Sequence, residues 1–356
     1  MGTPGIFVSF KSAASDALEL WEKGTLLLLL KDAKSQGSHV ITKSSDIPTD
    51  ISDDNKQYIE RALIGYENKP KKVLVYIDTA ESENVNAGLA WATTQQFDYL
   101  CAPPTVTSDE CTEIVTWIKA EREKYHAVRA VLPNQEADYE GIINFTGDGI
   151  KISAEKTCNT AEYCSRIAGI IAGTPMKMSC TFAPLAEVQD ITRLNEDEQK
   201  KTIEAGKLIL IHDGIEVKLS RGVNSLKTTS DTKGKEFKKI KIIELIDKIQ
   251  YDLRLTIADT YIGKYENSYD NKLVLVTAVQ TYFNELELSG LVKEGSSVVE
   301  IDVDAQSAWL KTEGYAVEDM TEQEIKEANT DSYVFIKVSF TPLDAIEDVN
   351  IPVTIQ

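Results

Sequence analysis

Histidine is nearly missing from this sequence. His39, His126 and His212 are the three present in 356 residues, and no two stand at a metal-ligand spacing. Cysteine offers no framework either. Cys101, Cys111, Cys158, Cys164 and Cys180 are odd in number and never spaced C-x-x-C, which argues against disulfides and zinc and for reduced thiols. Positive charge is outweighed: the formal net charge is −19, the opposite of the basic footprint that nucleic acid or an anionic membrane surface requires. No apolar run reaches bilayer length; the leucine block at 26–30 has five residues. The chain does not open on a basic stretch followed by a long apolar one, so no signal peptide is expected and synthesis is placed in a cytoplasm. A nucleophile elbow and a phosphate-binding glycine loop are both lacking. Adjacent carboxylates such as Asp53-Asp54 and Glu347-Asp348 are too common in so acidic a chain to mark acid–base chemistry. The expectation is a protein with no catalytic residue, no metal and no cofactor. An α/β enzyme using the C-terminal ends of its N-terminal strands stays open as the alternative, because such sites need not show as motifs.

What is present is alternation. Residues 25–30 read as a buried strand, 55–65 as a helix with Tyr58, Ala62 and Leu63 on one face, and 73–77 as a strand. A helix over 84–93 and a strand over 97–101 follow. Residues 108–124 read as a helix capped by Ser108, with Glu110 and Glu113 near its start and Lys119, Arg122 and Lys124 near its end. Residues 127–132 read as another strand. This order predicts an α/β sandwich with a largely parallel sheet. Thr146-Gly147-Asp148-Gly149 has the chemistry of a hairpin tip. A helix over 155–172 carries Cys158 and Cys164 on different faces, and a domain junction is expected near Pro175 to Pro184.

The C-terminal half reads as α+β. A short acidic helix spans 196–205, and Asp213-Gly214 between apolar runs signals a β-hairpin whose turn needs positive φ. Residues 220–228 extend its second strand. A long helix over 236–260 carries Ile242, Ile246, Ile249, Leu253 and Ile257 at helical spacing. A second, over 271–289, carries Leu273, Val276, Val279, Phe283 and Leu286. A strand at 297–303 and a helix at 321–328, opened by a Thr321/Glu324 capping box, lead to the last stretch.

Two ends of the chain alternate with period two. Near the start, Ile6, Val8 and Phe10 form a short strand, with 11–16 as a connector. Near the end, Val334, Ile336, Val338 and Phe340 form one run, and Val349, Ile351, Val353 and Ile355 a second, after an acidic hinge. Pro352 confines the second run to a sheet edge. Each run completes either the chain's own sheet or the edge of another subunit. One charge feature departs from the acidic background: Lys235, Lys238, Lys239 and Lys241 crowd the start of the long helix, where cations oppose the helix dipole. Neutralisation by Glu236 and Glu244 is the plain reading, and an acidic partner surface the other.

Four segments occur in an order that resembles one family: S-R-G-V-N-S-L-K-T from Ser220, Y-I-G-K-Y-E-N-S-Y-D-N-K from Tyr261, V-Q-T-Y-F-N-E-L-E-L-S-G-L-V from Val279, and Y-V-F-I-K-V followed by P-L-D-A-I-E-D-V. Together they resemble contractile phage tail sheath proteins, of the type found in Gram-positive phages and defective phage-like particles. The resemblance is most specific from Thr181 onward. It implies a structural subunit that polymerises helically around a tail tube and contracts to drive it through an envelope, with the sheath of a related injection or secretion system as the variant reading. It divides the chain into an N-terminal arm (1–23), an α/β domain (24–177), an α+β sheath domain (178–332) and a strand-and-exchange arm (333–356). It implies further copies of itself, a tail tube protein, and baseplate and tail terminator proteins as partners, with no direct nucleic acid and no membrane insertion. It places synthesis in a host bacterium and assembly in a particle tail. The terminal runs become inter-subunit exchange strands, and Lys235, Lys238, Lys239 and Lys241 face the tube.

Overall fold

The leucine block is the centre of a seven-stranded sheet in the computed structural model, which describes residues 23–355. In chain order the elements around it are β1 (Thr25–Asp32), β2 (Gly37–Ile41), α1 (Asp53–Ile64), β3 (Lys72–Thr79), α2 (Asn86–Ala92), β4 (Tyr99–Cys101), α3 (Ser108–Glu123), β5 (Arg129–Pro133) and β6 (Ile142–Phe145). A small β7 (Ile150–Lys151) and β8 (Thr157–Cys158) hairpin, α4 (Thr160–Gly173), α5 (Glu196–Glu204) and β9 (Lys207–Leu208) follow. The strand order is β2-β3-β1-β4-β5-β6-β9, parallel except for β2. Leu26, Leu28 and Leu30 point to one face and pack with Tyr58, Ile59, Tyr163 and Ile167 of α1 and α4. Leu27 and Leu29 point to the other and pack with Leu89, Ile114 and Ile118 of α2 and α3. A strand buried on both faces reads as an unbroken apolar run, which is why five leucines stand in a row here. Helix α4 approaches α1 so closely that a Cβ on Gly169 would lie 2.4 Å from the Ala62 carbonyl oxygen. Mixed α/β architecture is thus as the sequence implies.

Local details depart from expectation. Thr107, not Ser108, caps α3: its hydroxyl accepts from Glu110 N while the Glu110 carboxylate reaches back to Thr107 N at 2.8 Å. Residues 146–149 do not form a hairpin tip, because β6 pairs in parallel with β5 and β9, and β7 pairs with β8. Cys158 lies on β8 and not on the helix, which begins only after the Asn159 cap. The expected junction near Pro175 falls inside one compact unit, residues 23–247 with 344–355, since β9 rejoins the same sheet beyond it.

The same unit contains the β10 (Leu210–His212) and β11 (Val217–Leu219) hairpin, whose turn holds Gly214 at φ 99° as the Asp-Gly signal requires. Residues 220–228 leave the strand instead of extending it. They pack on the entry to α6 (Ile240–Thr260), where Asn224 N donates to Lys238 O and Ile240 N to Gly222 O. The first turns of α6 carry acids into the core. Asp247 accepts both Arg122 amino groups at 2.8 Å, and Glu244 accepts from Tyr99 Oη at 2.6 Å and pairs with Lys23.

The other unit, residues 248–343, contains the rest of α6, α7 (Tyr269–Leu288), β12 (Val298–Ile301), α8 (Val303–Thr312), α9 (Glu322–Glu327) and β13 (Ile336–Ser339). Leu275, Val279, Tyr282, Phe283 and Leu286 form the buried stripe of α7, while Leu273, expected in it, is exposed. The Thr321/Glu324 capping box opens α9 as predicted.

Candidate assembly surface

Residues 349–355 carry no regular structure, and their apolar side chains face solvent. Val349, Ile351, Val353 and Ile355 are 70, 73, 80 and 94 % exposed. The run thus presents four large apolar side chains to solvent at period-two spacing.

The first C-terminal run behaves differently. Ile336 and Val338 lie on β13, antiparallel to β12 with Ile301↔Ile336 and Val299↔Val338 in register. Phe340 packs on Phe283 of α7 at 5.1 Å between ring centroids, and Val334 precedes the strand, partly exposed. The two strands form a sheet of their own, so each keeps one edge unpaired. Ile6, Val8 and Phe10 lie outside the described residues.

The stretch between the runs, expected to be a hinge, is tied along its length. Thr341 O accepts from Lys293 N at 2.9 Å, Pro342 bridges to Val292, and Leu343 N donates to Leu291 O. Beyond it, Asp344 pairs with Lys239, Glu347 with Lys239 at 3.0 Å, and Asp348 with Arg221. This changes the account of the lysines. Lys239 and the buried Lys241 face acids of their own chain. Burial alone would lower the Lys239 pKa, but its bonds to Asp344 and Glu347 raise it; Lys241 is lowered by burial. Lys238 donates to Lys227 O at 2.6 Å, and Lys235 is exposed. Of the two acids expected to neutralise the cluster, Glu244 points into the core instead. Sequence reasoning did not find Ser179, Thr181 and Arg221, the remaining partners of this acidic stretch. Nothing local marks them, since they stand more than a hundred residues from Glu347.

Open α/β sheets bind ligands where the strand order reverses, here beyond the ends of β1 and β4. Lys31 Nζ and Glu110 Oε1 meet there at 2.6 Å, and a space of about 10 Å³, at the limit of one water, lies beside β1 and β3 near Tyr76, Asp78 and Gly88. A larger depression of about 420 Å³ lies beyond β5 and β6, near Asn134, Thr146 and Thr160. Its ionisable residues are Asp148 and Lys207, and Lys207 pairs with Glu136 at 2.8 Å. No group of three or more metal-ligating side chains occurs among the described residues. All five cysteines are buried, and burial pushes the Cys180 thiol up to about 12. His126 is paired with Glu121 at 2.6 Å, and His39 with Ser35 O.

The α/β scaffold thus ends in an apolar run that faces solvent. Comparison with known proteins gives its family. Residues 78–225 match the model of the phage tail sheath protein central domain, and residues 232–356 that of the phage tail sheath C-terminal domain. The tail sheath protein of Clostridium phage phiCD119 is 37 % identical over 362 residues, covering 99 % of both chains. Among solved structures, a sheath tail protein from Listeria innocua aligns with TM-score 0.68 at 18 % identity, over 96 % of this chain and 100 % of that one. The contracted helical sheath of the anti-feeding prophage aligns with TM-score 0.65 at 13 % identity, over 99 % of each. This chain belongs to the phage tail sheath family.

Proposed function

We propose that the protein is a non-catalytic structural subunit of a contractile tail sheath. Copies stack helically around a tail tube, and contraction drives the tube through the target envelope. The observation that carries this reading is the bare alternating run at 349–355: it supplies a strand without a partner, and a further copy of the chain supplies the edge. Contacts of that kind do not close on themselves and generate helical tubes. The same rigid subunits packed in two ways give the two states, so the work comes from subunit contacts and no nucleotide is needed. The division of labour follows: the terminal segments, Ile6, Val8 and Phe10 included, act as exchange arms on the α/β and α+β bodies. Val334, Ile336, Val338 and Phe340 supply β13 and its approach, beside which a neighbour's strand is added. A tail tube lies inside, and baseplate and terminator proteins lie at the ends. Of the tube-facing lysines, Lys239 is paired with Asp344 and Glu347 and Lys241 is buried, which leaves Lys235 and Lys238. The protein is made in the host cytoplasm and works in the particle tail.

The test is electron microscopy of the purified chain beside a chain ending at Asp348. The full chain is expected to form striated hollow cylinders, and the shortened one discrete particles. Cylinders of equal length and yield from both would overturn the reading.

A further inference from the structure

Glu347 stands in a stretch that otherwise faces solvent, with Ile346 90 % exposed beside it, yet its own side chain is only 5 % exposed. Four side chains converge on its carboxylate. Thr181 Oγ1 donates at 2.5 Å, Ser179 Oγ at 3.2 Å and Lys239 Nζ at 3.0 Å, and Arg221 Nε lies 3.8 Å away. They come from three separate segments of the same unit, and the groups are themselves held. Thr181 Oγ1 accepts from Gly222 N at 2.9 Å, which leaves its proton free for Glu347, and it lies 2.8 Å from Ser179 Oγ. Lys239 N and the loop at 222–224 are fixed by backbone bonds at the entry to α6. The cationic groups reach further along the chain on either side: Lys239 to Asp344, and Arg221 to Asp348. The next residue is Val349, the first of the bare run.

We propose that Ser179, Thr181, Arg221 and Lys239 form a carboxylate socket whose ligand is Glu347, and that Glu347 is a positioning residue for assembly. It locks the root of the C-terminal arm so that only residues from 349 onward swing, and the strand leaves its own subunit already aimed at a second copy. This rests on the strand-exchange reading above. The chemistry is specific. Two hydroxyl donors and two cations, with the carboxylate nearly closed off from water, select a charged acceptor over an amide, because an amide would turn donors toward donors. Fixing the root before association removes part of the ordering cost that a loose arm pays on binding. The acidic stretch is therefore a latch, and the pivot sits at Asp348 and Val349.

The test uses the full chain with Glu347→Gln, an isosteric change that removes the charge. A nitroxide is attached to Ile346→Cys, an exposed position outside the socket; the five native thiols are buried and stay unlabelled. In the parent chain the label is expected to be restricted at low salt. In Glu347→Gln its spectrum narrows to that of a free tail, the body stays folded by circular dichroism with a somewhat lower melting temperature, and the protein concentration needed for assembly rises roughly tenfold, the scale of one lost preorganising contact. An equally narrow spectrum in both chains would overturn the socket. Restriction lost with no change in assembly would overturn the positioning role, while the chain ending at Asp348 still reports whether strand exchange itself is right. If that shortened chain assembles normally, the exchange reading falls and the positioning role with it.

Discussion

Val334 to Phe340 and Val349 to Ile355 carry the same alternation of apolar residues, and they end in opposite situations. The first lies against β12 and α7, with Val338 opposite Val299 and Phe340 on Phe283. The second touches no sheet and leaves all four of its apolar side chains bare. The difference is not in the strands, which are equally suited to a pleated, half-buried place. It lies in the complement. For the first run the chain provides an edge about forty residues earlier and a helix face about sixty residues earlier. For the second it provides only a root, the Glu347 socket. Alternation therefore measures a capacity to pair, and whether a run is covered within the chain depends on whether the chain supplies an edge for it.

The harshest way to break the comparison is to take the partner from the first run. Ile301 of β12 is buried opposite Ile336. Ile301→Asp puts an unpaired carboxylate there and is expected to cost about 3–5 kcal/mol, the scale of an uncompensated buried charge. Denaturant unfolding followed by the fluorescence of Trp309, which packs on Phe335, would show it. A stability like that of the parent chain would mean β12 does not hold the first run in place.

The matching change in the second run should do the reverse. Ile351→Asp places a charge on a side chain already in water, so the isolated chain keeps its stability to within about 0.5 kcal/mol. Cylinder formation, read by sedimentation, is expected to fail, because the same carboxylate would be buried at the neighbour's edge. A variant that assembles as the parent does would mean the run stays solvated in the particle.

What the sequence discloses and what it withholds follow the same line. The leucine block, the Asp-Gly turn at 213–214 and the Thr321/Glu324 capping box are legible because their causes are local: period, backbone sign and a three-residue spacing. Thr107 is misread for Ser108 because both side chains have the right chemistry one residue apart, and only backbone geometry separates them. The destinations of charges are not legible. Glu244 and Asp247 look like the solvent face of a helix, yet they meet Tyr99, Lys23 and Arg122 in the core. Lys239 looks like an open basic patch, yet its acids lie more than a hundred residues on. A charge carries no period that names its partner, so partners belong to the tertiary structure.

The gentlest test sharpens the contrast between a body held by its own groups and an arm that the body leaves bare. Asp138, far in sequence from either run, ties down the end of the S-R-G-V-N-S-L-K-T segment: its carboxylate accepts from the Thr228 hydroxyl at 2.6 Å and from the backbone N–H groups of Thr228 and Lys227. The Thr228 hydroxyl bond first, then the two backbone bonds, hold its pKa down to about 2. An unfolded aspartate titrates near ~3.9. The folded value being lower, this group's stabilisation is present in full above about pH 4 and fades as the pH falls toward 2. Asp138→Asn should therefore lower the stability of the larger unit slightly at neutral pH and flatten the acid limb of its unfolding curve between those values. Residues 349–355 contain no ionisable side chain, so the truncated chain should keep that acid limb unchanged. Should truncation flatten it as well, the arm would be bonded to its own body after all, and the two runs would differ less than their exposure says.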